Sequence, residues 1–66
     1  MAIRANGEDL RIASEHTVTS LLAELGVHPA AVVIELNREI LRRERFAETK
    51  VREGDVLEVV HFVGGG

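Results

Sequence analysis

The chain has no cysteine, no tryptophan and no tyrosine, a single proline, and no aromatic residue besides Phe46 and Phe62. Each absence removes a class of answer. Without a thiol there is no disulfide framework, no cysteine metal ligand and no side chain that could carry a thioester. With so few aromatic rings, the core has to be aliphatic, built mostly from Val, Leu and Ile. Long apolar runs are also missing. The longest, Ala30 to Ile34, falls far short of the roughly 20 residues that span a bilayer. Met1 leads directly into strand-like alternation with no apolar signal core, so the expected location is cytoplasmic, with no membrane partner. Nor is the charge one-sided in the way a nucleic-acid binder requires: eleven acidic residues against eight basic leave a net charge of −3.

What is present reads as one small domain. A chain of 66 residues with 45% hydrophobic content is globular, but a domain of this size buries only about 60% of its unfolded surface and has a thin margin of stability. Ile3 and Ala5 alternate with Arg4 and Asn6, Leu10 and Ile12 with Asp9 and Arg11, and Asn6-Gly7 between them signals a tight turn. These predict an N-terminal hairpin. Thr17 is placed to cap a helix whose apolar stripe is Val18, Leu21, Leu22 and Leu25, all expected in the core, and Gly26 stands where that helix should stop. Pro29 separates it from a β-branched central strand, Val32 to Leu36. Asn37 opens a turn into Ile40 and Leu41, Arg42 to Lys50 is charged and irregular, and Glu53-Gly54-Asp55 turns into a last strand, Val56 to Val63. The predicted order is β, β, α, β, short β, β. Residues 1–63 are expected as one domain and 64–66 as a flexible glycine tail.

That tail is the most informative feature. Phe62-Val63 runs straight into Gly64-Gly65-Gly66. Glycine has no Cβ, so such an end can thread a narrow cleft and deliver its carbonyl carbon to another protein's active site. Val63 to Gly66 reaches about 13–14 Å at extended spacing. The competing reading is an inert, frayed terminus.

In the last strand Leu57, Val59 and His61 alternate with Glu58, Val60 and Phe62, and the charge on Glu58 assigns the second set to solvent. Val60 and Phe62, with Val63, are therefore the expected docking residues, placed just before the tail. The alternative has Phe62 folding over the sheet edge to complete the core. The remaining features read as ordinary. Arg42, Arg43 and Arg45 are interspersed with Glu44 and Glu48 as a solvated face would be. The helical stripe is core, and Glu35 and Glu39 merely flank a turn. His16, His28 and His61 are scattered, with neither metal-ligand spacing nor a nucleophile, base and orienter constellation, so no self-contained enzyme is expected.

Two N-terminal strands, a crossing helix and a long final strand returning to the sheet describe an α+β, β-grasp (ubiquitin-like) architecture, a mixed sheet of about four to five strands with one main helix across it. Along its whole length the chain resembles the bacterial sulfur carriers of thiamine biosynthesis, the ThiS family. The resemblance is carried by Ile3 through Asn6-Gly7-Glu8, Thr17-Val18-Thr19-Ser20-Leu21-Leu22, Val33-Ile34-Glu35-Leu36-Asn37, Arg52-Glu53-Gly54-Asp55 and the His61-Phe62-Val63-Gly64-Gly65-Gly66 end. It departs from the family at Arg38, where Gly is common, and at Arg42, often Pro, both in the connecting region away from the tail.

The resemblance implies a protein substrate rather than an enzyme, with Gly66, preceded by Gly65, as the reacting residue. An E1-like adenylyltransferase (ThiF type) would transfer AMP from Mg-ATP to the Gly66 carboxylate. A persulfide from a cysteine desulfurase would then displace AMP, leaving a thiocarboxylate that donates sulfur to a thiazole synthase (ThiG type). No cofactor is expected on the carrier itself; ATP and Mg belong to the partner. The alternatives are a molybdopterin-type carrier, which the proline-free His61 to Gly66 segment disfavours, a ubiquitin-like modifier conjugated through Gly66, and a β-grasp binding module whose glycines are inert.

Overall fold

The computed structural model describes residues 1–13 and 15–62. Ala2–Ala5 (β1) and Glu8–Arg11 (β2) form the N-terminal hairpin, with Ile3 opposite Leu10. Asn6 and Gly7 turn it at φ 52° and 79°, the doubly positive pair of a type I′ hairpin turn.

His16–Thr17 (β3) leads directly into the helix Val18–Leu25 (α1). Its first turn is closed reciprocally. Ser20 N donates to Thr17 Oγ1 at 3.1 Å and Thr17 N donates to Ser20 Oγ at 2.9 Å, so two otherwise orphaned donors are satisfied. The last turn is closed by Gly26 at φ 74°: its N–H reaches Ala23 O at 3.1 Å and Val27 N reaches Leu22 O at 2.9 Å. Both helix ends fall where the sequence places them.

A 3-10 turn, Pro29–Ala31, precedes Val32–Leu36 (β4), which folds back antiparallel onto Glu39–Leu41 (β5). Asn37 and Arg38 make this turn at φ 50° and 71°. After a second 3-10 turn, Arg43–Arg45, the pair Lys50–Val51 (β6) forms a separate two-stranded ladder with β3, which the sequence reading had not separated from the surrounding loops. Val56–His61 (β7) then runs up the middle of the main sheet, parallel to β1 and antiparallel to β4, giving the order β2-β1-β7-β4-β5. The fold is the expected mixed five-stranded β-grasp. β7 ends at His61, short of the predicted Val63, which lies outside the described residues.

The core is a single layer between α1 and the inner face of the sheet: Ile3, Ile12, Val18, Leu21, Leu22, Val32, Ile34, Phe46, Val51 and Leu57. As predicted it is aliphatic, with Phe46 inserted from the irregular segment as its one aromatic member. Leu25 corrects the expectation for the helical stripe. It is 41% exposed, because it sits in the last turn, beside Val27, Val59 and His61, where the helix overhangs the core instead of crossing it. Among the described residues no helix is long and apolar enough to cross a membrane.

Candidate functional site

The approach to the glycine tail is built by β7, and two polar locks hold that strand in place. At its start, Asp55 Oδ2 accepts from Arg52 N at 2.7 Å, and Asp55 Oδ1 accepts from Asn37 Nδ2 at 3.1 Å. Asn37 Oδ1 in turn accepts from Val56 N at 2.9 Å. The Arg52-Glu53-Gly54-Asp55 segment thus ties β7 to the β4–β5 turn. It is also fastened to β1, since Ala2 N donates to Glu53 Oε1 at 2.9 Å and Gly54 N to Ala2 O at 2.8 Å. Farther along, β1 stops pairing at Ala5. There the side chain of Asn6 takes over, accepting from Val59 N at 2.7 Å and donating to Val59 O at 3.4 Å. At the top, Phe62 N donates to Ala31 O at 2.9 Å, so the main chain just past β7 is still fastened beside β4.

With β7 fixed, alternation decides what each residue faces. Leu57 is buried and Val59 half-buried on the helix side, while Val60 and Phe62 stand on the outer face, 57% and 58% exposed. The exposed assignment made from sequence is correct, and Phe62 does not complete the core; Phe46 fills that role. Ile40 was missed. On β5, one strand beyond β4, it is 71% exposed. It shares the outer face because the register sets Ile40 opposite Glu35 and Glu35 opposite Glu58. Val33 lies opposite Val60 in the adjoining row. A groove at this end of the sheet is lined by Val33, Ile40 and Phe62, by the core-side Val32, Leu41 and Phe46, and by Arg42, Arg43 and Glu44.

The tail residues assigned to the chemistry, Gly65 and Gly66, and the docking candidate Val63 lie outside the described residues. The histidines are used separately. His16 Nδ1 is 2.9 Å from Ser20 Oγ and its Nε2 is 2.7 Å from Glu24, beside the helix cap. His28 Nδ1 accepts from Ala30 N at 3.1 Å, capping the first 3-10 turn, and His61 lies exposed beyond Val59 on the helix side. Among the described residues no three His, Asp or Glu side chains gather where they could hold a metal. Arg42 and Arg45 pair with Glu44 and Glu48 at 3.6 and 2.6 Å, as a solvated face does. A hydrogen bond from its own backbone and the Arg42 guanidinium hold the Glu44 carboxyl below the usual carboxylate range.

A mixed five-stranded sheet crossed by one helix, with exposed apolar residues at the end of its central strand, defines a ubiquitin-like β-grasp protein. The family model described as "ThiS family" matches residues 2–66. The chain is 38% identical over 65 residues to the Bacillus subtilis (strain 168) sulfur carrier protein ThiS, covering 97% of this chain and 98% of that one. The crystal structure of the thiamine biosynthesis protein ThiS from Geobacter metallireducens superposes with a TM-score of 0.87 at 40% identity, covering both chains fully. A thiazole synthase from Paramagnetospirillum magneticum is 42% identical over 66 residues, and there the chain spans only 20% of the relative's length. The protein belongs to the ThiS family.

Proposed function

We propose that this protein is a sulfur carrier of thiamine biosynthesis, with residues 1–63 as the folded carrier and residues 64–66 as the tail that bears the sulfur on Gly66. The observation that carries this reading is the exposure of Val60 and Phe62, 57% and 58%, on the strand that leads into the glycine run of a ThiS-family chain.

A carboxylate is a poor electrophile, since its charge repels nucleophiles and oxide is not a workable leaving group. An adenylating partner binds Mg-ATP and joins AMP to the Gly66 carboxylate, releasing pyrophosphate. A persulfide then attacks the acyl carbon, AMP departs, and a second thiol breaks the resulting S–S bond, leaving the thiocarboxylate on Gly66 and a disulfide on the donor side. The chain has no cysteine, so both the sulfur and the thiol that frees it come from partners. The thiocarboxylate, ionised at neutral pH as a thiolate is, serves as the nucleophile toward a thiazole synthase. Gly65 lets the tail lie close to the partner's nucleotide, and Val60, Phe62 and Val63 dock it. Similarity to the thiazole synthase of Paramagnetospirillum magneticum supports a partner of that kind.

The test is the intact mass of the protein after co-expression with an adenylating partner and a persulfide donor. A gain equal to one oxygen replaced by sulfur, mapped to Gly66 and lost when Gly66 is deleted, is the expected result. An unmodified mass beside an active partner overturns the reading.

A further inference from the structure

The β4–β7 ladder ends just before the glycines, and the turn that precedes β4 is built so that it ends there. Val32 lies opposite His61, and Phe62 N donates to Ala31 O at 2.9 Å, so Ala31 and Phe62 stand as the next pair. In an antiparallel ladder such a pair exchanges two bonds. Here the second is withheld, because Ala31 N donates to His28 O at 2.9 Å inside the Pro29–Ala31 turn. Bonded pairs recur at every second residue, so a ladder carried on in the same register would next join residue 29 to residue 64. Residue 29 is proline and has no N–H to give. The donor between them, Ala30 N, is taken by His28 Nδ1 at 3.1 Å. Three successive residues thus offer no main-chain donor to a longer β7. The turn is also anchored, since Val27 and Ala31 pack against the core and Val27 N donates to Leu22 O at 2.9 Å. On the other flank of β7, β1 stops pairing at Ala5, and Asn6 answers Val59 with its side chain. Among the described residues neither flank offers β7 a strand partner beyond Phe62.

Resting on the carrier role given to Gly66 above, we propose that His28 and Pro29 are positioning residues for the reaction at the C-terminus. They end the ladder at Phe62, so that the segment after it is offered to the adenylating partner and not to the carrier's own sheet. A segment that continues a central strand has a competing use, which is to go on pairing with the backbone beside it. Every bond so formed would have to break before the carboxylate could enter a partner's cleft. Proline removes the donor outright, and the His28 ring holds the turn closed by capping Ala30. Ala31 acts in the complementary sense: its carbonyl holds Phe62, so release begins at one defined residue.

The experiment is amide hydrogen exchange by NMR on the full chain, with thermal melts and the kcat and KM of Gly66 adenylation by the partner, for the parent, H28A/P29A and H28N. The double variant supplies an N–H at position 29 and frees that of Ala30, whereas H28N keeps a side-chain acceptor for the Ala30 N–H. In the parent, the Phe62 amide should be protected at least about tenfold more than that of Gly64, each relative to its intrinsic exchange rate. In H28A/P29A protection should spread to Gly64 and kcat should fall about fivefold. KM and melting temperature should change little, because docking through Val60 and Phe62 is untouched. H28N should match the parent. Equal protection of Phe62 and Gly64 in the parent overturns the proposal, as does a double variant in which Gly64 exchange and kcat both stay at parent values. A fall in kcat that follows a fall in melting temperature, with Gly64 still unprotected, makes the turn structural only and overturns it too. An H28N variant that behaves as the double variant does takes the positioning role from His28. If the parent forms no adenylate beside an active partner, the carrier reading fails, while the exchange pattern still decides whether the turn ends the ladder.

Discussion

Asn6 lies alongside Val59 and occupies both of its main-chain groups, accepting from N at 2.7 Å and donating to O at 3.4 Å. One side chain thereby extends the β1–β7 ladder past the point where β1 turns away. Asn6 also holds φ 52°, which asparagine tolerates better than most residues. Replacing it by glycine keeps the turn and removes only the side chain, so Asn6→Gly should cost roughly 1–2 kcal/mol at about 0.5–1.5 kcal/mol per hydrogen bond, read by urea unfolding. Asn6→Ala should cost more, because it adds strain at a positive φ.

Arg38 offers the opposite case. It sits at φ 71° in the β4–β5 turn, a conformation that disfavours a side chain and that glycine adopts without strain. Arg38→Gly should raise stability by roughly 0.5–1 kcal/mol, the relief of strain exceeding the added entropy of the unfolded chain. A lowered melting temperature would show that the arginine makes a contact worth more than the strain.

The two phenylalanines separate structure from function. Phe46 is 3% exposed and Phe62 58%. Phe46→Ala should cost about 3–5 kcal/mol, enough to unfold much of so small a domain. Phe62→Ala should stay within about 0.5 kcal/mol of the parent. Phe62→Asp should fold and bind the adenylating partner more weakly, and its global unfolding, seen by circular dichroism, would remove the docking role from Phe62.

Removing Gly65 and Gly66 touches none of the core contacts or strand pairings described above. The shortened chain should melt at the parent temperature and take up no sulfur by mass spectrometry. Persisting function in a thiamine-dependent growth assay would favour a binding module with inert glycines.

Much of the fold was legible because it is written in local chemistry. Thr17, Gly26 and Asn6-Gly7 each have one stereochemical use, and alternation in β7 correctly put Val60 and Phe62 in water. What escaped depends on distant partners. The β3–β6 pairing joins two-residue strands far apart in sequence, and no short window shows it. Leu25 continues the helical stripe faithfully, but periodicity does not say where the layer beneath ends. Glu35 looked like a turn-flanking residue until the register set it against Glu58, and Ile40 joined the exposed face for the same reason. Residues 63–66 were legible only as chemistry.

β7 is the middle strand, with β1 on one side and β4 on the other, and the glycines follow it in sequence. Tension applied to the glycines by a partner drawing them into a cleft would be delivered along that strand. Both neighbouring ladders would then be loaded in shear, with their hydrogen bonds sharing the force instead of breaking one after another. Under the proposed cycle, a carrier seized by its end and pulled free again would be held at the place in its sheet most resistant to being unzipped.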